Sequence, residues 1–183
     1  MYTKAAFLDL NGTIVMPVQV RHPTEHWIIP GAIDAVRLLN QQGFLCPVVT
    51  VQTRIAKGYF SAEDFAAWFQ DVVGHFRSAG AVLCGPYACP HWPPESCVCS
   101  KPQPYLYRQA AVEHHILLAQ SVIIGDTAGD IQVAKTLGCV GCLVRTGWGE
   151  AALQGAGVEQ AADHIAADVL AAAQWIVHRT VVA

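Results

Sequence analysis

The stretch Phe7-Leu8-Asp9-Leu10-Asn11-Gly12-Thr13 follows Ala5-Ala6 and carries an apolar segment straight into a carboxylate. An apolar run stopped by Asn-Gly reads as a buried strand ending in a tight turn. Asp9 then stands at the strand's carboxyl end, the edge where open α/β sheets bind their ligands. One Asp in such a place is ordinarily a turn residue or a helix cap. Recurrence gives it weight. Leu45 to Val49 is a second apolar strand, ending at Thr50, and Gln120 to Gly125 is another, ending at Asp126. Parallel strands bring their carboxyl ends to one edge, so Asp9, Thr50 and Asp126 converge on one crevice.

Helical segments alternate with these strands. Gly31 to Asn40 spaces Ile33, Val36 and Leu39 along one face. Ser61-Ala62-Glu63-Asp64 is a capping signature that opens a helix to about Arg77. Ala79 to Cys84 reads as a third strand and Val140 to Val144 as a fifth. Tyr105 to His115, Asp130 to Leu137 (closed by Gly138) and the Ala-rich Ala162 to Val177 read as helices. Ile14 to Pro30 and Gly85 to Pro104 read as loops, the second holding six of the chain's ten prolines. The alternation predicts an α/β fold, a single Rossmann-like three-layer domain over residues 1–183 with a central parallel sheet.

A chain of 183 residues fits one domain with a sizeable core. It is 53% hydrophobic and 14% charged, yet no apolar run reaches the roughly 18 to 20 residues of a membrane span. No signal-peptide pattern precedes the first strand. A net charge of -3 without a basic cluster argues against nucleic acid. A cytoplasmic monomer with neither membrane nor nucleic-acid partners is expected.

Two carboxylates meeting in one crevice repel each other, and a hard divalent cation such as Mg²⁺ resolves that. Lys101, after a long loop, brings a second positive centre, and Thr50 brings a hydroxyl. An Asp nucleophile with Mg²⁺, Lys and a hydroxyl suits phosphoryl transfer through an aspartyl-phosphate. Metal, Lys and hydrogen-bond donors then meet the spread negative charge of the transferring group.

Asp9-x-Asn11-Gly12-Thr13, Thr50, Lys101 and Gly125-Asp126-x-x-x-Asp130 resemble the four motifs of the haloacid dehalogenase superfamily. Ile29-Pro30-Gly31, Val48-Val49-Thr50-x-Gln52, Ile55-Ala56-x-Gly58-Tyr59-Phe60 and Leu143-Val144-Arg145-Thr146-Gly147 narrow the resemblance to the heptose bisphosphate phosphatases, with histidinol-phosphate phosphatases as near relatives. It covers roughly Phe7 to Gly149. The resemblance implies a capless fold whose loops shape the pocket for a small phosphorylated metabolite of the sugar-bisphosphate kind. It implies Asp9 as nucleophile and Mg²⁺ ligand, with Asp126 and the backbone carbonyl of Asn11 as further ligands. Thr50 and Lys101 would hold the phosphoryl group, Asp130 would support the metal and Lys101, and Gln52, Thr53 and Arg145 would face the substrate.

The pattern departs at three positions. Asn11 stands where these phosphatases carry the Asp that protonates the leaving oxygen and then activates water. An amide cannot exchange a proton at neutral pH. General acid–base catalysis is worth on the order of 10² to 10⁴ in rate, so impaired turnover is expected. Three explanations remain open: a weak or inactive relative that binds a phosphorylated ligand or a protein partner, a deliberate Asp-to-Asn replacement, or a proton supplied by water or another residue. Val51 replaces an Asn and Ser100 an Arg, which removes a bidentate phosphate clamp.

Three of the seven cysteines crowd into Cys89 to Cys99, together with His91. Cys89, His91, Cys97 and Cys99 are four ligands of the kind that close a tetrahedral Zn²⁺ site. The alternative is a set of unpaired loop thiols. With every position filled by protein the metal is structural, and the loop of about 85–104 matches the zinc loop of the same phosphatases. Its task would be to fix the segment that delivers Lys101. Cys139 and Cys142 have metal-like spacing but open a strand, so they read as core or surface residues, and Cys46 and Cys84 read as core. His22, His26, His114 and His115 show no spacing that demands a role. Trp92 and Trp148 fall in loops near the presumed pocket mouth.

Overall fold

The computed structural model describes residues 3–92 and 97–182, so residues 93–96 of the Cys/His loop lie outside the described residues. β1 (Lys4–Leu8) is the strand forecast from the opening stretch. It alternates as a doubly covered strand must, with Ala6 and Leu8 in one core cluster and Ala5 and Phe7 in the other. Beyond the turn, β2 (Val15–Met16) and β3 (Trp27–Ile28) form a small antiparallel ladder, so the segment expected to be all loop is partly paired. It is followed by α1 (Ala32–Gln41), β4 (Phe44–Leu45), β5 (Pro47–Val51) and the short α2 (Thr53–Ala56). Pro47 sits at the first residue of its strand, where a missing N–H costs least.

α3 (Ala62–Ser78) begins with the forecast capping box between Ser61 and Asp64. It buries Phe65, Trp68, Phe69, Val72, Val73 and Phe76, one stripe at helical spacing. The third long strand is displaced from its expected place at Ala79 to Cys84. Ala81 and Leu83 are buried, but the ladder to β5 begins only at Cys84, giving β6 (Cys84–Cys89). Pro86 lies inside β6 at a register irregularity, which an edge strand tolerates because its outer side needs no donor. Then come α4 (Tyr105–Glu113), β7 (Val122–Gly125), α5 (Ala128–Leu137) and β8 (Val140–Val144).

The expected helix Ala162 to Val177 is instead two elements, β9 (His164–Ala166) and α8 (Val169–Val182), which follow α6 (Gly149–Leu153) and α7 (Val158–Ala161). His164, Ile165 and Ala166 pair with Cys142, Leu143 and Val144. Asp163 secures the junction, accepting from the Gly141 amide at 2.8 Å and from Lys135 at 2.7 Å. The main sheet runs β6-β5-β1-β7-β8-β9, all parallel, with β4 adding a bridge beside β1. α1, α3 and α8 pack on one face, and α4 and α5 on the other, completing three layers. Cys46, Cys139 and Cys142 are buried and Cys84 is half-buried. No helix among the described residues is long and apolar enough to cross a membrane.

Candidate active site and metal centre

Strand register assembles the crevice. Leu8 pairs with Ile124 on one side and Val48 on the other, so Asp9, Asp126 and Thr50 emerge together at the carboxyl edge. The Asp9 amide donates to the Ile124 carbonyl at 2.9 Å, extending the ladder up to the site. Lys101 arrives from the end of the Cys/His loop and pairs with both Asp9 and, at 2.7 Å, Asp130. Asp130 is buried in the first turn of α5, where it closes a capping box with Thr127 and receives the Thr127 hydroxyl at 2.6 Å. The Tyr107 hydroxyl, 3.4 Å away, completes its surroundings. Asp130 thus orients Lys101 from a position fully satisfied by hydrogen bonds.

Asp126 is the opposite case. Its Oδ2 accepts the Trp148 amide at 2.7 Å, but its Oδ1 is buried with no hydrogen-bond partner among the described residues. Gly12 (φ +93°) and Gly147 (φ +59°) press against this carboxylate, and a Cβ on either would collide with Oδ2. Burial, reinforced by the neighbouring Asp9 charge, pushes the Asp126 carboxyl up to about 8. Burial also raises Asp9, to about 6, with Lys101 pulling back part of the shift. Burial alone would lower Lys101, but Asp130 and Asp9 together hold it well above its ordinary value. A buried carboxylate oxygen without a donor, beside a second carboxylate, is stabilised in its charged form only by a nearby positive charge. Oxygen donors so arranged fit a hard divalent cation such as Mg²⁺, and Asp9, Asp126 and the carbonyl of residue 11 could hold it.

Asn11 is enclosed by three polar neighbours. Gln52 Nε2 donates to its Oδ1 at 2.6 Å and Thr50 Oγ1 stands 3.5 Å from the same oxygen. Its Nδ2 lies 2.6 Å from Nε2 of His26, whose Nδ1 reaches the Pro23 carbonyl at 2.9 Å. The network assigns the tautomer: Nδ1–H donates to Pro23 and Nε2 accepts from Asn11. Burial lowers the His26 pKa, in keeping with that neutral form. No motif in the sequence marks His26, because the β2–β3 segment returns it to Asn11 across 15 residues.

A cavity of about 630 Å³ opens above these groups, lined by Asp9, Asn11, Thr50, Gln52, Thr53 and Lys101 among others. Arg54 and Lys57 of the α2 segment also line it, the first over the Tyr59 ring at 4.4 Å and the second over the Trp92 ring at 3.4 Å. Arg145, expected to face the substrate, does not line the cavity; its guanidinium is held by Glu150 at 2.8 Å. A carboxylate five residues downstream on α6 draws this strand-end cation sideways.

The Cys/His loop forms a second cluster. The ligand atoms of Cys89, His91, Cys97 and Cys99 all lie within 4.8 Å of one another. Cys89 Sγ is 3.6 Å from Cys97 Sγ, and His91 Nδ1 is 3.2 Å from Cys99 Sγ. Zn–S bonds of about 2.3 Å imply tetrahedral edges of about 3.8 Å, and three thiols with one imidazole suit Zn²⁺. The cluster can therefore hold that metal with no position left for substrate. Cys89 closes β6, and Cys99 stands two residues before Lys101, so the cluster ties a sheet edge to the segment that enters the crevice.

Comparison with known proteins agrees with this geometry. A family model described as HAD-hydrolase-like matches residues 98–172. The chain is similar to the D-glycero-D-manno-heptose-1,7-bisphosphate 7-phosphatase of Thermosynechococcus vestitus, at 36% identity over 94% of both chains. It is also similar to the D-glycero-beta-D-manno-heptose-1,7-bisphosphate 7-phosphatase of Pseudomonas putida, at 33% identity over 82% of this chain and 87% of that one. The crystal structure of the D,D-heptose 1,7-bisphosphate phosphatase from B. bronchiseptica, complexed with magnesium and phosphate, superimposes with a TM-score of 0.88 at 28% identity. That match covers 97% of this chain and 99% of that one.

Proposed function

This chain belongs to the haloacid dehalogenase-like hydrolases, beside the heptose bisphosphate phosphatases, and from that premise we propose that it is a Mg²⁺-dependent phosphatase of a small, sugar-bisphosphate-like metabolite. The observation that carries the reading is the strand-end quartet of Asp9, Asp126, Lys101 and Asp130, with its unpartnered Asp126 oxygen. In this reading the whole chain acts as one cytoplasmic domain. Magnesium, when bound, supplies the positive charge that keeps both carboxylates ionised and neutralises phosphoryl oxygens.

Asp9 attacks phosphorus. Its carboxyl, raised to about 6, is largely ionised at neutral pH and so retains nucleophilicity. Lys101, held in line by Asp130, and the Thr50 hydroxyl receive the charge spreading over the transferring group. The leaving oxygen needs a proton, and the resulting aspartyl-phosphate needs an activated water. Asn11 stands where both transfers would occur, with its amide engaged by Gln52 and His26 and no proton to exchange. Turnover is therefore slow, and hydrolysis of the phosphoenzyme slower than its formation. Cys89, His91, Cys97 and Cys99 would hold a structural Zn²⁺ that fixes the path of Lys101.

The test is Mg²⁺-dependent phosphate release from p-nitrophenyl phosphate and a panel of sugar phosphates, with Asp9→Asn alongside. Slow release by the native chain and at least a roughly 10⁴-fold loss in the variant are expected. Equal release by both would remove Asp9 from the reaction.

A further inference from the structure

Trp148 is set into the cavity by its backbone and left uncovered by its side chain. Its amide donates to Asp126 Oδ2 at 2.7 Å, and Gly147 before it crowds the same carboxylate. Gly149 after it donates to the Thr146 carbonyl at 2.9 Å, and the Thr146 hydroxyl in turn reaches the Gly12 carbonyl at 2.6 Å. The main chain here is clamped to the floor of the crevice. The indole nonetheless lines the cavity with half of its surface exposed. Tyr59 and Trp92 also stand exposed near the mouth, but Arg54 covers the first and Lys57 the second. Among the described residues no ring or cation stacks on Trp148 and nothing accepts from its indole N–H. A rigidly based, uncovered aromatic surface beside a polar anion site is a binding feature rather than a packing one.

We propose that Trp148 is the platform for the leaving group, a specificity-determining residue that selects phosphate esters whose alcohol is a ring with an apolar face. This rests on the phosphatase reading, because the ring is placed by a phosphoryl group held at Asp9 and Lys101. A pyranose presents such a face through its axial C–H groups and an aryl ester through its π-surface; an acyclic polyol phosphate has neither. Stacking of this kind is worth a few-fold to about 10-fold in affinity.

Binding, not turnover, reads this most directly. With Mg²⁺ present, calorimetric affinities for inorganic phosphate, glycerol 3-phosphate, a hexopyranosyl 1-phosphate and phenyl phosphate are compared for the native chain, Trp148→Ala and Trp148→Phe. Both variants keep the amide that holds Asp126. The expected result is that Trp148→Ala weakens the ring esters about 3- to 10-fold, while glycerol 3-phosphate and inorganic phosphate stay within about 2-fold and Trp148→Phe restores most of the loss. A loss confined to one ring ester supports the platform and identifies its ring. Equal weakening of all four, or of none, overturns it. If inorganic phosphate fails to bind the native chain at all, the phosphatase reading itself falls; if it binds but ring esters gain nothing over glycerol 3-phosphate, only the role of Trp148 falls.

Discussion

The strand-end crevice and the Cys/His loop are both clusters of metal-type ligands, and they are assembled in opposite ways. The loop gathers its four ligands from eleven consecutive positions, Cys89 to Cys99, and its chemistry is local. The crevice draws Asp9, Thr50 and Asp126 from three distant strand ends that the parallel register unites, and Lys101 reaches them from the end of the loop. In the loop, burial raises the Cys89 and Cys99 thiols, while hydrogen bonding with Cys99 brings Cys97 down to about 6. In the crevice the carboxylates are locked by the sheet and by Gly12 and Gly147, so repulsion and desolvation persist as raised pKa values. A site fixed by fold stores electrostatic cost, and a site fixed by a loop stores mainly chain entropy.

The difference can be sharpened first at Lys101, the cation shared by Asp9 and Asp130. Lys101→Met leaves two buried carboxyls facing an apolar stem. It is expected to cost about 3 to 5 kcal/mol in denaturant unfolding without divalent metal, and to abolish measurable phosphate binding. A loss below about 1 kcal/mol would mean that the crevice is less strained than its burial implies.

The loop should respond differently. Stripping Zn²⁺ while restoring Mg²⁺ is expected to weaken phosphate binding about 10-fold, because Lys101 loses its tether two residues after Cys99. Titration with inorganic phosphate reads this, and unchanged affinity would disconnect the two regions. Global unfolding should move less than in Lys101→Met, since the three-layer core does not depend on the loop.

A pH dependence separates the two regions as well. Asp9 and Asp126 have folded-state pKa values of about 6 and about 8, above the ordinary 3.8. The native state therefore binds more protons than the unfolded chain across that window, and metal-free stability falls as pH rises from about 4 to about 8. Mg²⁺ replaces those protons, so it should raise the melting temperature by several degrees at about pH 8 and hardly at all at about pH 5. The reverse trend would show that the carboxylates are ionised and satisfied without metal.

The two regions also differ in how they can be read from sequence. The Cys/His cluster is visible because proximity along the chain suffices. Asp9, Thr50 and Asp126 are visible because each interrupts an apolar run, and a parallel sheet turns that shared interruption into a shared edge. β9 was hidden because Ala161-Ala162 and Ala166-Ala167 favour helix, and only pairing with β8 makes His164-Ile165-Ala166 a strand. β6 was displaced because Gly85-Pro86 looks like a terminator, and the tolerance of an edge for Pro is a tertiary fact. The approach of His26 to Asn11, and the capture of Arg145 by Glu150, depend on where loops return, which periodicity does not encode.

Residue 11 decides whether the crevice can turn over. The most direct measurement is the Mg²⁺-dependent rate of phosphate release by the native chain beside Asn11→Asp, on the same substrates. A crevice complete except for its proton donor predicts a gain on the order of 10² to 10⁴ in kcat for Asn11→Asp. Equal rates would show that another group already moves the proton, and no release by either protein would contradict a phosphatase site.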